Sequence, residues 1–233
     1  MKAIILAAGR GTRLKDLTKD TPKILVPVGG RPIIEYTLDA LPQKIDEVIF
    51  VVSYYQDKIR AYLGQNYRGY KIHYVEQREL NGTGGAILSC RSLIADGESF
   101  LVLNGDDIYD RDEISAFLNY EHVFGYSRCL PPSTGYLSLN INELKVVDGF
   151  KKITVDDLNV PANIVTGAYL LTSDIFKYEP VRLANGEIGL PQMLLKNLNT
   201  YPMHGVYMQK WLSMNTQEDI LHAQKYFESN LKR

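Results

Sequence analysis

Residues 1–32 read MKAIILAAGRGTRLKDLTKDTPKILVPVGGRP. An apolar run, Ala3–Ala8, stops at Gly9, and Arg10, Gly11, Thr12 and Arg13 follow; Lys23 comes ten residues after Arg13. A short apolar run ended by glycine reads as a buried strand entering a turn. A dinucleotide fingerprint at such a turn needs a third glycine for close helix–strand packing. Leu14 stands there instead. A Walker A loop needs Gly-Lys-Ser or Gly-Lys-Thr, which also does not follow. Two readings remain open on the loop alone. One is a phosphate cradle built from glycine N–H groups, a hydroxyl and fixed positive charge. The other is a plain strand-to-helix turn.

Working outward, the first half of the chain alternates apolar β-branched runs with helical patterns. Glu47–Ser53 and Ser99–Asn104 are apolar almost throughout, and Lys71–Val75 is a further strand. Between them Pro32–Leu41 puts Ile33, Ile34, Leu38 and Leu41 on one helical face. Gln56–Leu63 is a short amphipathic helix ended by Gly64, and Gly84–Leu93 a third helix. Strands apolar on both sides and separated by helices predict a mostly parallel sheet covered on both faces, an α/β Rossmann-like fold. In the second half, Tyr136–Asn140, Leu144–Ile153 and Val165–Leu171 alternate between glycines. They predict an added mixed or antiparallel substrate-side layer. Helices near Leu190–Leu198 and Thr216–Leu231 flank a strand near Tyr201–Gln209. No repeat and no linker is visible, so the expectation is one domain without an appended β-helix, with parts divided near residue 110.

Composition narrows the function classes. The 233 residues are 45% apolar and 23% charged with a net charge of −1, the profile of a soluble globular protein with no bulk charge for nucleic acid. No apolar run approaches the ~20 residues that span a bilayer, and the first is shorter than the ~7–15 of a signal peptide. Cys90 and Cys129 are the only cysteines, which speaks against a disulfide framework or structural zinc and for the cytoplasm.

Ligands of a parallel sheet bind outside the carboxyl ends of its strands. Two further stretches fall there. Gln77 precedes Gly82-Thr83, and its amide can pair with the ring N–H and carbonyl edge of uracil or thymine, whereas guanine's adjacent donors suit a carboxylate better. Asn104-Gly105-Asp106-Asp107 sets carboxylates just past an apolar strand, where Mg²⁺ can be held against a polyphosphate. Each stretch alone is also an ordinary turn.

Taken in order, LAAGRGTRL, TPKILVPVGGRPII, Gln77-x4-Gly82-Thr83 and LNGDDIY resemble the sugar-1-phosphate nucleotidyltransferase family, which includes glucose-1-phosphate thymidylyl- and uridylyltransferases. Val165–Tyr169, Glu187–Leu190 and Trp211–Asp219 are similar to its later segments, so the resemblance covers nearly the whole chain. It implies transfer of a nucleotidyl group from a nucleoside triphosphate, UTP or dTTP favoured, to a sugar 1-phosphate. By resemblance Arg13, Lys23 and Asp106 are catalytic. Leu6, Ala8, Gly9, Gly11, Thr12, Gln77, Gly82 and Thr83 bind the nucleotide. Gly135, Gly167, Glu187 and Trp211 line the sugar-phosphate side. Asp106 and Asn215 hold Mg²⁺. The chain would act as a monomer or homodimer, without nucleic acid or membrane as partners.

Two departures stand out. Ser213 occupies the position of the family's second metal aspartate, which leaves Asn215 as metal ligand or as cap of the last helix. The family's Glu-Lys-Pro segment has no clean match: Lys151 and Lys152 fall upstream of it and Asp156-Asp157 near its place. Its absence keeps open a cytidylyltransferase acting on a phosphocholine-like alcohol. A catalytically silent regulatory homologue and a metal-dependent glycosyltransferase are the rivals from other classes.

Overall fold

The computed structural model describes residues 1–9 and 11–230. Arg10 of the opening loop and the expected helix end at Leu231 lie outside the described residues. In chain order the first half runs β1 (Lys2–Leu6), the short strands β2 (Pro27–Val28) and β3 (Arg31–Pro32), α1 (Ile33–Asp39), β4 (Glu47–Val52), α2 (Gln56–Leu63), β5 (Asn66–Tyr67), β6 (Tyr70–Glu76), α3 (Gly82–Ser89) and β7 (Ser99–Asn104). The second half runs β8 (Asp107–Ile108), α4 (Arg111–Ser115), β9 (Val123–Cys129), β10 (Leu137–Ile141), β11 (Val147–Lys152), β12 (Ala162–Thr172), α5 (Leu190–Lys196), β13 (His204–Tyr207), β14 (Leu212–Ser213) and α6 (Gln217–Asn230).

One sheet connects both halves, in the order β11-β10-β12-β7-β1-β4-β6-β5, with β9 pairing β12 and β13. β1 lies parallel between β4 and β7, and β4 lies parallel to β6. The antiparallel strands join that sheet at its β7 edge, where β12 pairs β7. They are therefore continuous with the parallel part. Alternate side chains divide the core. Ile4, Ile49, Val51, Phe100 and Val102 pack with Ala86 and Ile87 of α3 and Met193 and Leu194 of α5. Ala3, Ile5, Val48, Phe50, Leu101 and Leu103 pack with Ile34 and Leu38 of α1 and Ile59 and Leu63 of α2. Strands buried on both sides carry apolar residues at every position, which is why they read so clearly.

The strand ends are level. Leu6 is in register with Val51 on one side and Asn104 on the other. The Gly105 N–H donates to the Leu6 carbonyl, and the Gln77 N–H to that of Val52. The opening loop, the Gln77–Gly82 turn and the Gly105–Asp107 turn thus leave one rim, where neighbouring connections diverge to opposite faces.

Sequence patterning did not foresee β9. Gly125, its third residue, reads as a breaker. In the fold, a Cβ there would come within 2.7 Å of Met208 Sδ and 2.8 Å of Thr166 Oγ1. The glycine is demanded by close packing. The opening loop also differs from a simple strand-to-helix turn. It continues into 3-10 turns over Thr12–Thr18, interrupted at Lys15 by a positive φ of 49°.

Candidate active site

A cavity of about 760 Å³ opens along this rim. Eleven of the residues singled out from sequence line it: Leu6, Ala8, Gly9, Arg13, Gln77, Gly82, Thr83, Asp106, Gly135, Gly167 and Glu187. Gly11, Thr12, Lys23, Trp211 and Asn215 do not line it, for separate reasons.

Gly11 is a hinge of the loop. It adopts φ +65°, and a Cβ there would meet Lys23 Cβ and Thr18 Cγ2 at 3.1 Å. Its carbonyl accepts from Thr18 Oγ1 at 2.8 Å, which ties the loop down. The N–H groups of Gly9, Gly11 and Thr12 have no acceptor among the described residues. Arg13 is exposed and makes no ion pair among them. A loop with spare donors and a free guanidinium is chemically suited to a polyanion.

Lys23 is buried behind the cavity wall rather than facing into it. Its Nζ donates to Asp106 Oδ2 at 2.5 Å and to Asn215 Oδ1 at 3.0 Å. A hard cation favours this donor chemistry: one carboxylate and one amide oxygen already converge on a positive charge. Among the described residues no group of three or more His, Cys, Asp or Glu could hold a metal. An ion bound by Asp106 and Asn215 would therefore complete its shell from water and substrate oxygens.

The cap reading of Asn215 gives way to its neighbours. The Asp219 N–H donates to Thr216 Oγ1 at 3.1 Å, while Asp219 Oδ2 accepts from the N–H groups of Thr216 and Asn215 at 2.7 and 2.8 Å. Thr216 and Asp219 form a reciprocal cap at the start of α6. The Asn215 side chain is thereby left for the Lys23–Asp106 pair.

Asp107, next to Asp106, serves a different purpose. It is buried, and burial, then the neighbouring Asp106 charge, pushes its carboxyl up. Its oxygens accept from Asn104 Nδ2 at 3.2 Å and the Met214 N–H at 3.4 Å. It fastens the segment that carries Asn215 to the segment that carries Asp106. Trp211 corrects an expectation. It packs beside the cluster containing Tyr109, Ile114 and Phe117, and not on the sugar side of the cavity. Its buried indole N–H makes no hydrogen bond among the described residues, although it lies near enough to Asp107 to favour the charged carboxylate.

At the other end, Gln77 is buried and both hydrogens of its amide are engaged. Nε2 donates to Asn81 Oδ1 and to the Gly82 carbonyl, each at 2.9 Å. Only its side-chain oxygen remains for a ligand. Gly82 has φ +90°, and a Cβ there would sit 2.6 Å from the Ile188 carbonyl. The Gly84 N–H donates to that carbonyl, the Ile188 N–H to Asn81, and the Leu190 N–H to Thr83 Oγ1. The glycines of α3 thus dock the 187–190 segment and bring Glu187 to the cavity. Gly167, at φ +75°, marks the register shift where β12 bends past Asn104, whose Nδ2 would be 2.0 Å from a Cβ.

Sequence reasoning gave no site role to Asn104, Tyr136 or Tyr169, which also line the cavity, although Asn104 and Tyr169 lie in stretches it singled out. Tyr136 follows Gly135 directly, but nothing in the sequence connects it with Asn215, which donates from Nδ2 to the Tyr136 hydroxyl at 2.8 Å.

The sequence profile of the nucleotidyl transferase family matches residues 2–188. The chain is 32% identical over 238 residues to the bifunctional protein GlmU of Methanococcus vannielii, an alignment covering 99% of this chain and 56% of that protein's length. It is 36% identical over 177 residues to D-glycero-alpha-D-manno-heptose 1-phosphate guanylyltransferase of Campylobacter jejuni, covering 76% and 78% of the two chains. The fold is similar to that of a UDP-glucose pyrophosphorylase solved with UDP-glucose, with a TM-score of 0.83, 20% identity and 98% of each chain covered. Among the described residues no helix is long and apolar enough to cross a membrane. From its glycine-rich opening loop to the segment that carries Glu187, the chain belongs to the sugar-1-phosphate nucleotidyltransferases of the nucleotidyl transferase family.

Proposed function

We propose that this chain transfers a nucleotidyl group from UTP or dTTP to a sugar 1-phosphate, releasing pyrophosphate. The observation that carries this reading is one cavity whose wall holds Gln77, Gly82, Thr83, Gly135, Gly167 and Glu187 together with Arg13 and Asp106. A base, a polyphosphate and a sugar bound side by side need groups of these kinds in one cavity.

The sugar phosphate is already an anion, so the attack on the α-phosphorus needs no general base. The difficulty is bringing two polyanions together and stabilising charge in an in-line transition state. Arg13 and the free N–H groups of the opening loop would hold the triphosphate. Lys23 would reach the α-phosphate and the incoming phosphate once turned from Asp106. Asp106 and Asn215 would hold Mg²⁺, which supplies charge neutralisation on the phosphate oxygens when bound.

Base choice follows from Gln77. Its remaining acceptor pairs with the ring N3–H of uracil or thymine, whereas on cytosine or adenine only the exocyclic amino group could donate to it. That argues against the cytidylyltransferase alternative. Guanine offers N1–H beside an amino group, a pair better matched by a carboxylate. GTP is the decisive control, since one relative is named as a guanylyltransferase. Pyrophosphate release with four nucleotides and a panel of sugar 1-phosphates tests the proposal. UTP or dTTP should turn over fastest with Mg²⁺ present, and a clear preference for GTP or CTP overturns the base assignment.

A further inference from the structure

Asn215 is the weak point of a metal site. An amide has two ends of nearly equal shape, one an acceptor oxygen and the other a pair of donors. Only the oxygen can face a cation. Some feature of the fold must therefore choose the end, and it has to keep choosing after Lys23 turns away.

The hydrogen bonds around Asn215 supply that choice. Nδ2 donates to the Tyr136 hydroxyl at 2.8 Å and to Ser213 Oγ at 2.5 Å, so both of its hydrogens have acceptors. Oδ1 is left pointing to Lys23 Nζ, which also holds Asp106. The backbone is fixed separately, by the Asn215 N–H donating to Asp219 Oδ2. The two hydroxyls come from different parts of the fold. Tyr136 precedes β10 and lines the cavity, while Ser213 lies in β14, paired with Asp107. Ser213 reaches the amide from two residues before it, in a strand held by its pairing with β8, whereas Tyr136 comes from a distant part of the chain.

We infer that Tyr136 and Ser213 are positioning residues that lock the Asn215 amide with its oxygen toward Asp106, giving a divalent cation an amide oxygen as its second protein ligand. The inference rests on the reading that Asp106 and Asn215 hold a metal. Partners that orient a ligand in this way typically govern affinity by about 10–100-fold.

The test measures Mn²⁺ alone, by electron paramagnetic resonance titration of free ion against the full chain. Asp106→Asn should weaken binding; if it does not, the metal reading itself fails. Tyr136→Phe with Ser213→Ala should weaken binding about tenfold or more, because Nδ2 loses both acceptors and the amide can turn. The same pair of changes is then made in an Asn215→Asp background. A carboxylate presents oxygen at both ends and needs no orienting, so removing the hydroxyls there should change Mn²⁺ affinity by less than about twofold. Ser213→Thr, which keeps the hydroxyl, should retain the parent affinity. Two results overturn the inference while leaving the metal reading intact. One is parent-like affinity in the double variant. The other is an equal loss in both backgrounds, which would mean general damage to the loop.

Discussion

Two charged clusters in this molecule look alike on paper and differ in what they leave open. Lys23, Asp106 and Asn215 form one. The other ties α1 to the segments around it. Glu35 accepts from Tyr62 and Tyr67 on one oxygen and from Arg31 and Arg68 on the other, while Asp39 takes the second arm of each arginine. In the Glu35 cluster both Glu35 oxygens accept two hydrogen bonds each within the protein, and each Asp39 oxygen is met by an arginine. In the Lys23 cluster Asp106 also lines a large cavity, and the loop beside it holds N–H groups with no acceptor among the described residues. The difference teaches that a cluster of charge is a candidate site when its capacity remains available to a ligand. When that capacity is closed on itself, the cluster is a staple.

Breaking each cluster should therefore show opposite signatures. The largest effect is expected for Lys23→Ala and Asp106→Ala, each lowering turnover on the order of 100-fold or more, as loss of one transition-state donor does. Steady-state pyrophosphate release measures it, and near-parental rates in a folded variant would remove these residues from the chemistry. Arg13→Ala should lose a similar factor in turnover with stability unchanged within about 0.5 kcal/mol, because Arg13 is exposed and makes no ion pair among the described residues. Urea titration beside the kinetic assay checks both halves of that statement.

Glu35→Ala should do the reverse. It strands two hydroxyls and two guanidinium groups, lowering stability by about 1–3 kcal/mol. Turnover should hold within about twofold, since the cluster does not line the cavity. A large kinetic defect would mean that the staple also shapes the site. The smallest effect is in acid. Burial alone would raise the Glu35 carboxyl, but hydrogen bonds from Tyr62, Tyr67 and Arg31 and the Arg68 charge together hold it at about 2, against an ordinary value of 4.5. Its folded value is depressed, so its contribution is complete above about pH 4.5 and is lost as pH falls toward 2. Melting curves of parent and Glu35→Gln should converge over that window.

The two halves of the chain were not equally legible. β4 and β7 were read almost to the residue, because strands buried on both faces leave no polar positions to confuse the pattern. The turns after β1 and β7 were found for the same reason, while the Gln77–Gly82 turn follows β6, which is only partly buried. β9 was missed at Gly125, whose absent side chain answers to Met208 and Thr166, residues far away in sequence. The antiparallel strands were expected as an added layer and prove continuous with the parallel sheet through β12 and β7. Trp211 was assigned to the sugar side and belongs to the packing beside Asp107.

By itself the sequence determined the sheet's parallel half, the rim that carries the candidate site and the residue types gathered there, because those follow from periodicity and from short connections between neighbouring elements. Only the tertiary structure decided which groups are free and which are engaged. It buried Lys23 and left Arg13 exposed, although both are cations of one opening segment. It gave the helix cap to Thr216 and Asp219, released Asn215, and set Tyr136 and Ser213 on its amide. Hydrogen-bond capacity is finite. Which of several equivalent residues keeps some in reserve depends on partners brought together from distant parts of the chain.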